Sequence, residues 1–364
     1  MSISMFPSCN DKEEVPPDPH FSNLEEEVDY IARKYLEVGL IIGIVDTHQD
    51  KLVFTYGEKS IGSEDRPDEN TIFDIGSITK TFTATLIADL YLDGKLDDEI
   101  VSHYLPTGVT MPTWNSEEVT LIQLATHTSG LPRTPHENGS TFPLPDGFDG
   151  INPYAAYETE DVYNYLTNYC ILEFEPGTWW NYSNTGYGLL GHIAGLVEGS
   201  SYADVLSTRL FQVLDMQNST LIPTESQLTN FSQGYDQLFI EKPFFLANDI
   251  FQGAGFIKSS LNDMFKYLEA QMGLSNTALN EAMQLTHESV MHQGSMGDQG
   301  MAWFILDLDD GQQITYSGGD TLGHSCFIGF NKTAKTGAIV LSNYAYHGRQ
   351  LTMGQEIMKA IIQY

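Results

Sequence analysis

Thr71-Ile72-Phe73-Asp74-Ile75-Gly76-Ser77-Ile78-Thr79-Lys80-Thr81 is the stretch that decides how this chain is read. A strand-like run from Thr71 to Gly76 gives way to a helix-like run that reaches Leu92. With a helix beginning near Ser77, Lys80 lies one turn later on the same face. A lysine amine placed there reaches the serine hydroxyl, which activates a weak nucleophile without a histidine. The helix N-terminus adds backbone N–H groups and a positive potential where an oxyanion would form. That potential also disfavours a second positive charge, which helps keep the lysine neutral and basic. The spelling S-x-x-K decides little alone, because a chain of this length holds about one by chance. A serine near a helix cap with a solvated lysine one turn on reads the same. The flanking sequence supplies the rest.

Upstream, residues 1–21 read as a disordered leader, with Pro16-Pro17-Asp18-Pro19 as a semi-rigid spacer. Ser22-Asn23-Leu24-Glu25 spells a capping box, followed by Leu24, Val28, Ile31 and Tyr35 at helical spacing. Gly39–Val45 is a continuous apolar run, hence a buried strand, and Lys51–Tyr56 returns as its hairpin partner. Downstream, helical patterns dominate to about residue 295, most clearly Ile78–Leu92, Tyr187–Val197, Tyr202–Leu214 and Ser260–Met272. Leu131 to Asp161 is rich in Pro, Gly, Asp and aromatics and reads as a long loop at the rim of a site. Strand patterns return at Met301–Leu308, Gln312–Tyr316, Gly323–Phe330 and Ala338–Ser342, before a final amphipathic helix from Gln350 to Ile362. The expected class is α+β. One antiparallel sheet is built from both ends (22–76 with 296–364) and flanked by terminal helices, with a mainly helical region (77–295) inserted and a site between them.

The 49 acidic residues against 17 basic ones leave a net charge of −32, which makes nucleic acid and anionic membrane surfaces poor partners, and no nucleic acid is expected. No run reaches the length of a membrane-spanning helix. Cys9, Cys170 and Cys326 are too few for a disulfide framework, and Cys170 and Cys326 read as buried thiols. Phe6-Pro7-Ser8-Cys9, followed by an acidic and proline-rich tract, resembles the end of a bacterial lipoprotein signal. The segment before it is short and lacks a basic region. The first reading is an exported protein, periplasmic or at the cell surface, with Cys9 as a candidate lipid anchor; an accidental likeness in a cytoplasmic protein is the other.

Two further clusters complete a site. Asn181-Tyr182-Ser183-Asn184 follows the turn signal Pro176-Gly177 and precedes an apolar helix. Tyr182 can act as general acid or base where a cation lowers its pKa, and Asn184 can hold a substrate amide or the lysine. The plain alternative is a packed tyrosine with Asn184 capping the next helix. Tyr316-Ser317-Gly318-Gly319 ends a strand, where glycines admit substrate to the backbone and the Gly319 N–H can join that of Ser77 as an oxyanion donor.

With these stretches the sequence resembles the serine β-lactamase and penicillin-binding-protein superfamily, in its class C branch, over roughly Glu25 to the C-terminus. Ser77-x-x-Lys80 resembles the first motif and Tyr182-Ser183-Asn184 the second, in its tyrosine form. Leu124–Pro132, Asp215–Thr220 and Phe256–Asp263 resemble other family stretches. The resemblance implies a β-lactamase/transpeptidase-like fold and acyl transfer. Ser77 would attack a carbonyl while Lys80 and Tyr182 manage the proton; which of them takes it first stays open.

The family's third motif offers a cation, then Thr or Ser, then Gly; here the first position is Tyr316. A literal Lys335-Thr336-Gly337 sits between two strand patterns and reads as a hairpin turn. A cation at the first position would help bind a substrate carboxylate. Its replacement by Tyr316, and the acidic charge, favour a neutral ester or amide, taken as a small molecule or short peptide. A β-lactamase or D,D-peptidase is the second reading, and a non-catalytic sensor or binding protein the third. Tyr154, Tyr157, Trp179 and Trp180 are candidates for an apolar acyl pocket and equally for ordinary packing. Gly186-x-Gly188-x-x-Gly191 follows a turn rather than a strand, so it is not read as a dinucleotide site. The histidines form no metal-binding pattern, His127 and His324 read as structural, and neither metal nor cofactor is expected.

Overall fold

The computed structural model describes residues 20–97, 99–136, 141–148, 150–292, 297–308 and 311–364. Cys9 and the proline spacer lie outside the described residues. Phe21, placed by the sequence at the end of the leader, packs its ring 5.1 Å from that of Tyr30.

Helix α1 (Leu24–Tyr35) starts one residue later than the capping box predicts. The Asn23 side chain accepts the Glu26 N–H at 2.9 Å, while the Glu26 carboxylate reaches back to Ser22. Strands β1 (Gly39–Val45) and β2 (Lys51–Gly57) form the expected hairpin. Short strand β3 (Ile72–Asp74) leads through a tight turn at Gly76–Ile78 into α2 (Thr79–Leu92). The inserted region holds α3 (Leu121–Ala125), α4 (Thr159–Asn168), α5 (Asn184–Glu198), α6 (Tyr202–Leu206) and α7 (Glu225–Leu228). It also carries the small ladder of β4 (Gly234–Tyr235) and β5 (Glu241–Lys242). Then follow β6 (Lys258–Ser260), which pairs with β3, and helices α8 (Leu261–Gln271) and α9 (Asn280–Thr286). The chain closes with β7 (Met291–His292), β8 (Asp298–Gln299), β9 (Phe304–Asp307), β10 (Gln313–Asp320), β11 (Ser325–Asn331), β12 (Thr336–Ser342) and α10 (Arg349–Gln363).

The main sheet runs β2-β1-β12-β11-β10-β9-β8-β7, antiparallel throughout, so the two ends of the chain meet where β1 pairs β12. Both faces of the central strands are covered, which is why β1 is apolar without alternation. Leu40, Ile42 and Ile44 point to the terminal helices α1 and α10 and meet Val28, Ile31, Met353 and Ile357. Ile41 and Val45 point to the other core, with Phe82, Leu86 and Phe265. Helix α8 lies close on this inner face because Gly43 and Gly337 leave room for Leu261, Phe265 and Leu268. Helix α2 is buried on nearly every side, as a helix without a polar face must be. Among the described residues no helix is long and apolar enough to cross a membrane.

Beneath the β3–α2 turn lies a buried ion pair. Lys258 Nζ sits 3.5 Å from Asp74, with His324 3.4 Å from the same carboxylate. Burial pushes the Asp74 carboxyl up, but Lys258, His324 and the Phe245 N–H together hold it below the ordinary range. Removing one partner strands the other's charge in the core. Lys258→Met should therefore cost about 3–5 kcal/mol in urea unfolding, and Asp74→Asn on top of it should recover part of that loss.

Candidate active site

From Thr71 to Ala88 every residue is buried except Ser77. Gly76 makes this possible. It takes φ +53°, and a Cβ there would lie 2.8 Å from the Asp320 nitrogen, so only glycine lets the turn press against the end of β10. Gly319 is the reciprocal contact: a Cβ on it would lie 1.9 Å from the Ile75 carbonyl and 2.9 Å from the Ser77 nitrogen. Strand β9 pairs β10 only as far as Tyr316, so beyond it the strand presents a free edge toward the serine.

Lys80 is the first charged residue of α2 and is almost fully buried. Its Nζ lies 3.3 Å from Ser77 Oγ, donates to Asn184 Oδ1 at 2.8 Å, and also bonds the Ala254 carbonyl. These partners are all uncharged. Burial, with the Arg133 charge adding to it, holds the amine well below the ordinary lysine range. Tyr182 Oη donates to Ser77 Oγ at 2.6 Å. Burial pushes its phenol up, opposed by the Ser77 hydrogen bond and the Arg133 charge. Asn184 does not cap α5. Ser183 does, accepting the Gly186 N–H at 3.0 Å, which frees Asn184 to bridge Lys80 and the Tyr154 hydroxyl (2.7 Å).

The loop at 127–133 holds the tyrosine segment in place. His127 Nδ1 accepts the Ser183 N–H at 3.0 Å, and its ring lies 4.5 Å from that of Tyr182. Burial, then the charges of Lys80 and Arg133, push its pKa well down, so it stays neutral and acts as a hydrogen-bonded wedge. The Arg133 carbonyl accepts the N–H groups of Asn184 and Thr185 at 3.0 and 3.1 Å. Its guanidinium lies 5.0 Å from the centroid of the Tyr182 ring.

Ser77, Lys80, Tyr182, Asn184 and Gly319 are thus brought together. Tyr316 is not among them. A β-strand alternates faces, and Tyr316 and Gly318 face the α10 layer: Tyr316 stacks with Phe304 and Phe327, and a Cβ on Gly318 would meet Leu351. Ser317 shares the face of Gly319 and donates to the Ala302 carbonyl at 3.2 Å. The expectation that Tyr316 lines the cleft is corrected by this parity. Lys335 lies in the β11–β12 turn and bonds the Met272 carbonyl, remote from Ser77. Gly188 and Gly191 lie inside α5, where they admit the backbone of Ile250–Gly253. Tyr157 is buried and bonds His136 at 3.1 Å, Trp179 is exposed, and Trp180 packs on His127 and Tyr182. His324 turns to Asp74 rather than to the site. Cys170 and Cys326 are free thiols. Among the described residues no group of three or more His, Cys, Asp or Glu could hold a metal.

The beta-lactamase family model matches residues 31–360. The chain belongs to the beta-lactamase family, a family of serine hydrolases. It is 28% identical over 290 residues to a beta-lactamase of Providencia stuartii, covering 78% of this chain and 69% of that protein. It is 29% identical over 215 residues to the D-alanyl-D-alanine-carboxypeptidase/endopeptidase AmpH of Escherichia coli K12, covering 58% of this chain and 52% of that one. A solved class C beta-lactamase superposes with a TM-score of 0.79 at 24% identity, covering 94% of this chain and 98% of its own. A beta-lactamase/D-alanine carboxypeptidase of Yersinia pestis, solved with citrate, gives 0.79 at 21%, covering 93% and 98%. The β-lactamase/transpeptidase-like fold expected from the motifs is the fold of the family.

Sequence reasoning passed over Arg133, although it directly follows the family-like stretch Leu124–Pro132 and is one of only 17 basic residues. The contact between Gly319 and the serine turn gives a direct test. Gly319→Ala should leave the circular dichroism spectrum intact while lowering the rate of Ser77 acylation at least about 100-fold, by pushing the turn off β10.

Proposed function

We propose that this protein is a serine hydrolase that forms an acyl-enzyme on Ser77. The observation that carries this reading is the hydroxyl of Ser77, solvent-accessible at one point of a buried run, within 2.6 Å of Tyr182 Oη and 3.3 Å of the buried Lys80 amine. Ser77 Oγ attacks the acyl carbon, and its proton passes to the Lys80–Tyr182 pair. The oxyanion is held by the N–H groups of Ser77 and Gly319. When the tetrahedral adduct collapses, the pair returns the proton to the leaving group, and water releases the acyl group by the reverse path.

A neutral ester or amide is the first substrate class, because β10, the strand that borders Ser77, carries no lysine or arginine. In this reading the site lies between a sheet part (22–76 with 296–364) and a helical part (77–295) and takes a small molecule or short peptide. The second reading is a β-lactam or a D-alanyl peptide. It is favoured by the names of the relatives and by a cation, Arg133, on the helical wall of the cleft. A non-catalytic sensor has less support, because Lys80 Nζ and Tyr182 Oη both lie within hydrogen-bonding reach of Ser77 Oγ. Intact-mass spectrometry after a fluorophosphonate, a penicillin, a D-aminoacyl amide and a simple ester ranks these classes. Ser77→Ala should remove every adduct, and Tyr182→Phe should slow acylation by about 10²–10⁴. Adducts that persist in Ser77→Ala would sink the proposal.

Export with Cys9 as lipid anchor is the location we propose, supported by Phe6-Pro7-Ser8-Cys9 and the acidic tract after it. Metabolic labelling with an alkyne fatty acid should mark the protein and be lost in Cys9→Ala.

A further inference from the structure

The proton leaving Ser77 can be received only by a Lys80–Tyr182 pair that has already lost one of its own. This holds whether the pair then reads amine and phenol or ammonium and phenolate. Lys80 is buried and Tyr182 half-buried, and the acceptors around Lys80 are uncharged: Ser77 Oγ, Asn184 Oδ1 and the Ala254 carbonyl. Burial lowers the Lys80 amine but raises the Tyr182 phenol, so favouring the state with one proton fewer on both members requires a positive charge near the pair.

Arg133 fits that requirement. Its Cζ lies 5.0 Å from the centroid of the Tyr182 ring, and Lys80 Nζ lies 4.6 Å from the centroid of the same ring. Its backbone is fixed by two hydrogen bonds from the first residues of α5, the helix that also carries Asn184. Arg133 is exposed, its guanidinium over the Tyr182 ring, and among the described residues it forms no ion pair. In a chain with 49 acidic residues, an arginine in a cleft without an acid partner is a feature that calls for a role. Unlike a lysine, it cannot lose its charge.

We infer that Arg133 is a positioning residue of the acyl-transfer site, the permanent cation that keeps the Lys80–Tyr182 pair one proton short and ready to receive the proton of Ser77. This rests on the acyl-enzyme reading above. A fixed positive charge repels an ammonium and attracts a phenolate, so it acts in one direction on both members. Burial is the larger cause at both groups, lowering Lys80 and raising Tyr182; the Arg133 charge adds to the first and opposes the second. The other titratable groups facing the pair do not replace it. His127 is neutral, Tyr154 and Tyr187 are phenols, and the Asp320 carboxylate is engaged by Ser325 and His347 while its charge acts on Tyr182 in the opposite sense. On β10, where the family resemblance expects a cation, Tyr316 faces the other layer. The charge on this tyrosine therefore comes from the helical wall.

The test is the pH profile of kcat/KM for p-nitrophenyl butyrate, an uncharged acyl donor, in wild type, Arg133→Gln and Arg133→Lys. The glutamine variant should move the ascending limb up by about one pH unit and lower the rate below that limb about tenfold, with the lysine variant near wild type. Nitrocefin, which carries a carboxylate, is run in parallel. If Arg133→Gln leaves the neutral-ester profile unmoved and raises KM only for nitrocefin, Arg133 is a substrate anchor and the inference is wrong. An unmoved profile for both donors overturns it too. Fluorophosphonate labelling of the wild type separates the two levels. No adduct on Ser77 defeats the acyl-enzyme reading itself, whereas an adduct with an unmoved limb defeats only the role of Arg133.

Discussion

A lysine amine buried beside a serine, with only uncharged partners, is the constraint that the rest of the site serves. Lys80 is held by a hydroxyl, an amide oxygen and a backbone carbonyl, none of which compensates a full positive charge in the interior. The chain contains a counter-example a few residues away in space. Lys258 is equally buried, but Asp74 stands beside it, and the pair ties β3 to β6 below the nucleophile turn. One buried lysine is given a carboxylate and becomes a strut. The other has none among the described residues, and its amine is held well below the ordinary lysine range. The same residue type carries structure or chemistry according to its neighbour.

The placement of that lysine depends on backbone contacts more than on side chains. Gly76 and Gly319 touch across the junction of the helical region and the sheet, and neither could carry a Cβ without driving the two parts of the molecule apart. On the other wall, the segment 127–133 clamps the segment 181–185 through the Asn181 and Ser183 N–H groups on His127 and the Asn184 and Thr185 N–H groups on Arg133. Ser77 and Tyr182 are thus placed by separate backbone contacts, while α2 and α5 share one core behind them. Small errors in either set of contacts would separate Ser77 Oγ from Tyr182 Oη, now 2.6 Å apart.

Much of this was legible in the chain. The apolar runs at Gly39–Val45 and Ala338–Ser342 announce strands covered on both faces, and the helix periods at both ends announce the layer that covers one of them. The Ser77/Lys80 spacing and the Tyr182–Asn184 cluster led to groups that do converge. Legibility failed where the answer depended on long-range packing. The start of α1 moved by one residue because Asn23 competes with Ser22 for the cap, and local sequence does not rank the two. Arg133 was overlooked because nothing local marks an arginine in a long loop as facing a tyrosine that lies 49 positions later.

By itself, the sequence determined which residues could do chemistry and which segments had to be strands or helices, because periodicity and one-turn spacing are local properties. Only the tertiary structure decided which of those residues meet. Tyr316 shows the difference. Strand β10 was readable, but a strand has two faces, and a shift of one residue exchanges them. The packing of Phe304, Phe327 and α10 on one side, and of Ser77 on the other, assigned Tyr316 to the core and Gly319 to the site. The arginine beside the tyrosine comes from the loop at 127–133, a proximity that no pattern along the chain encodes.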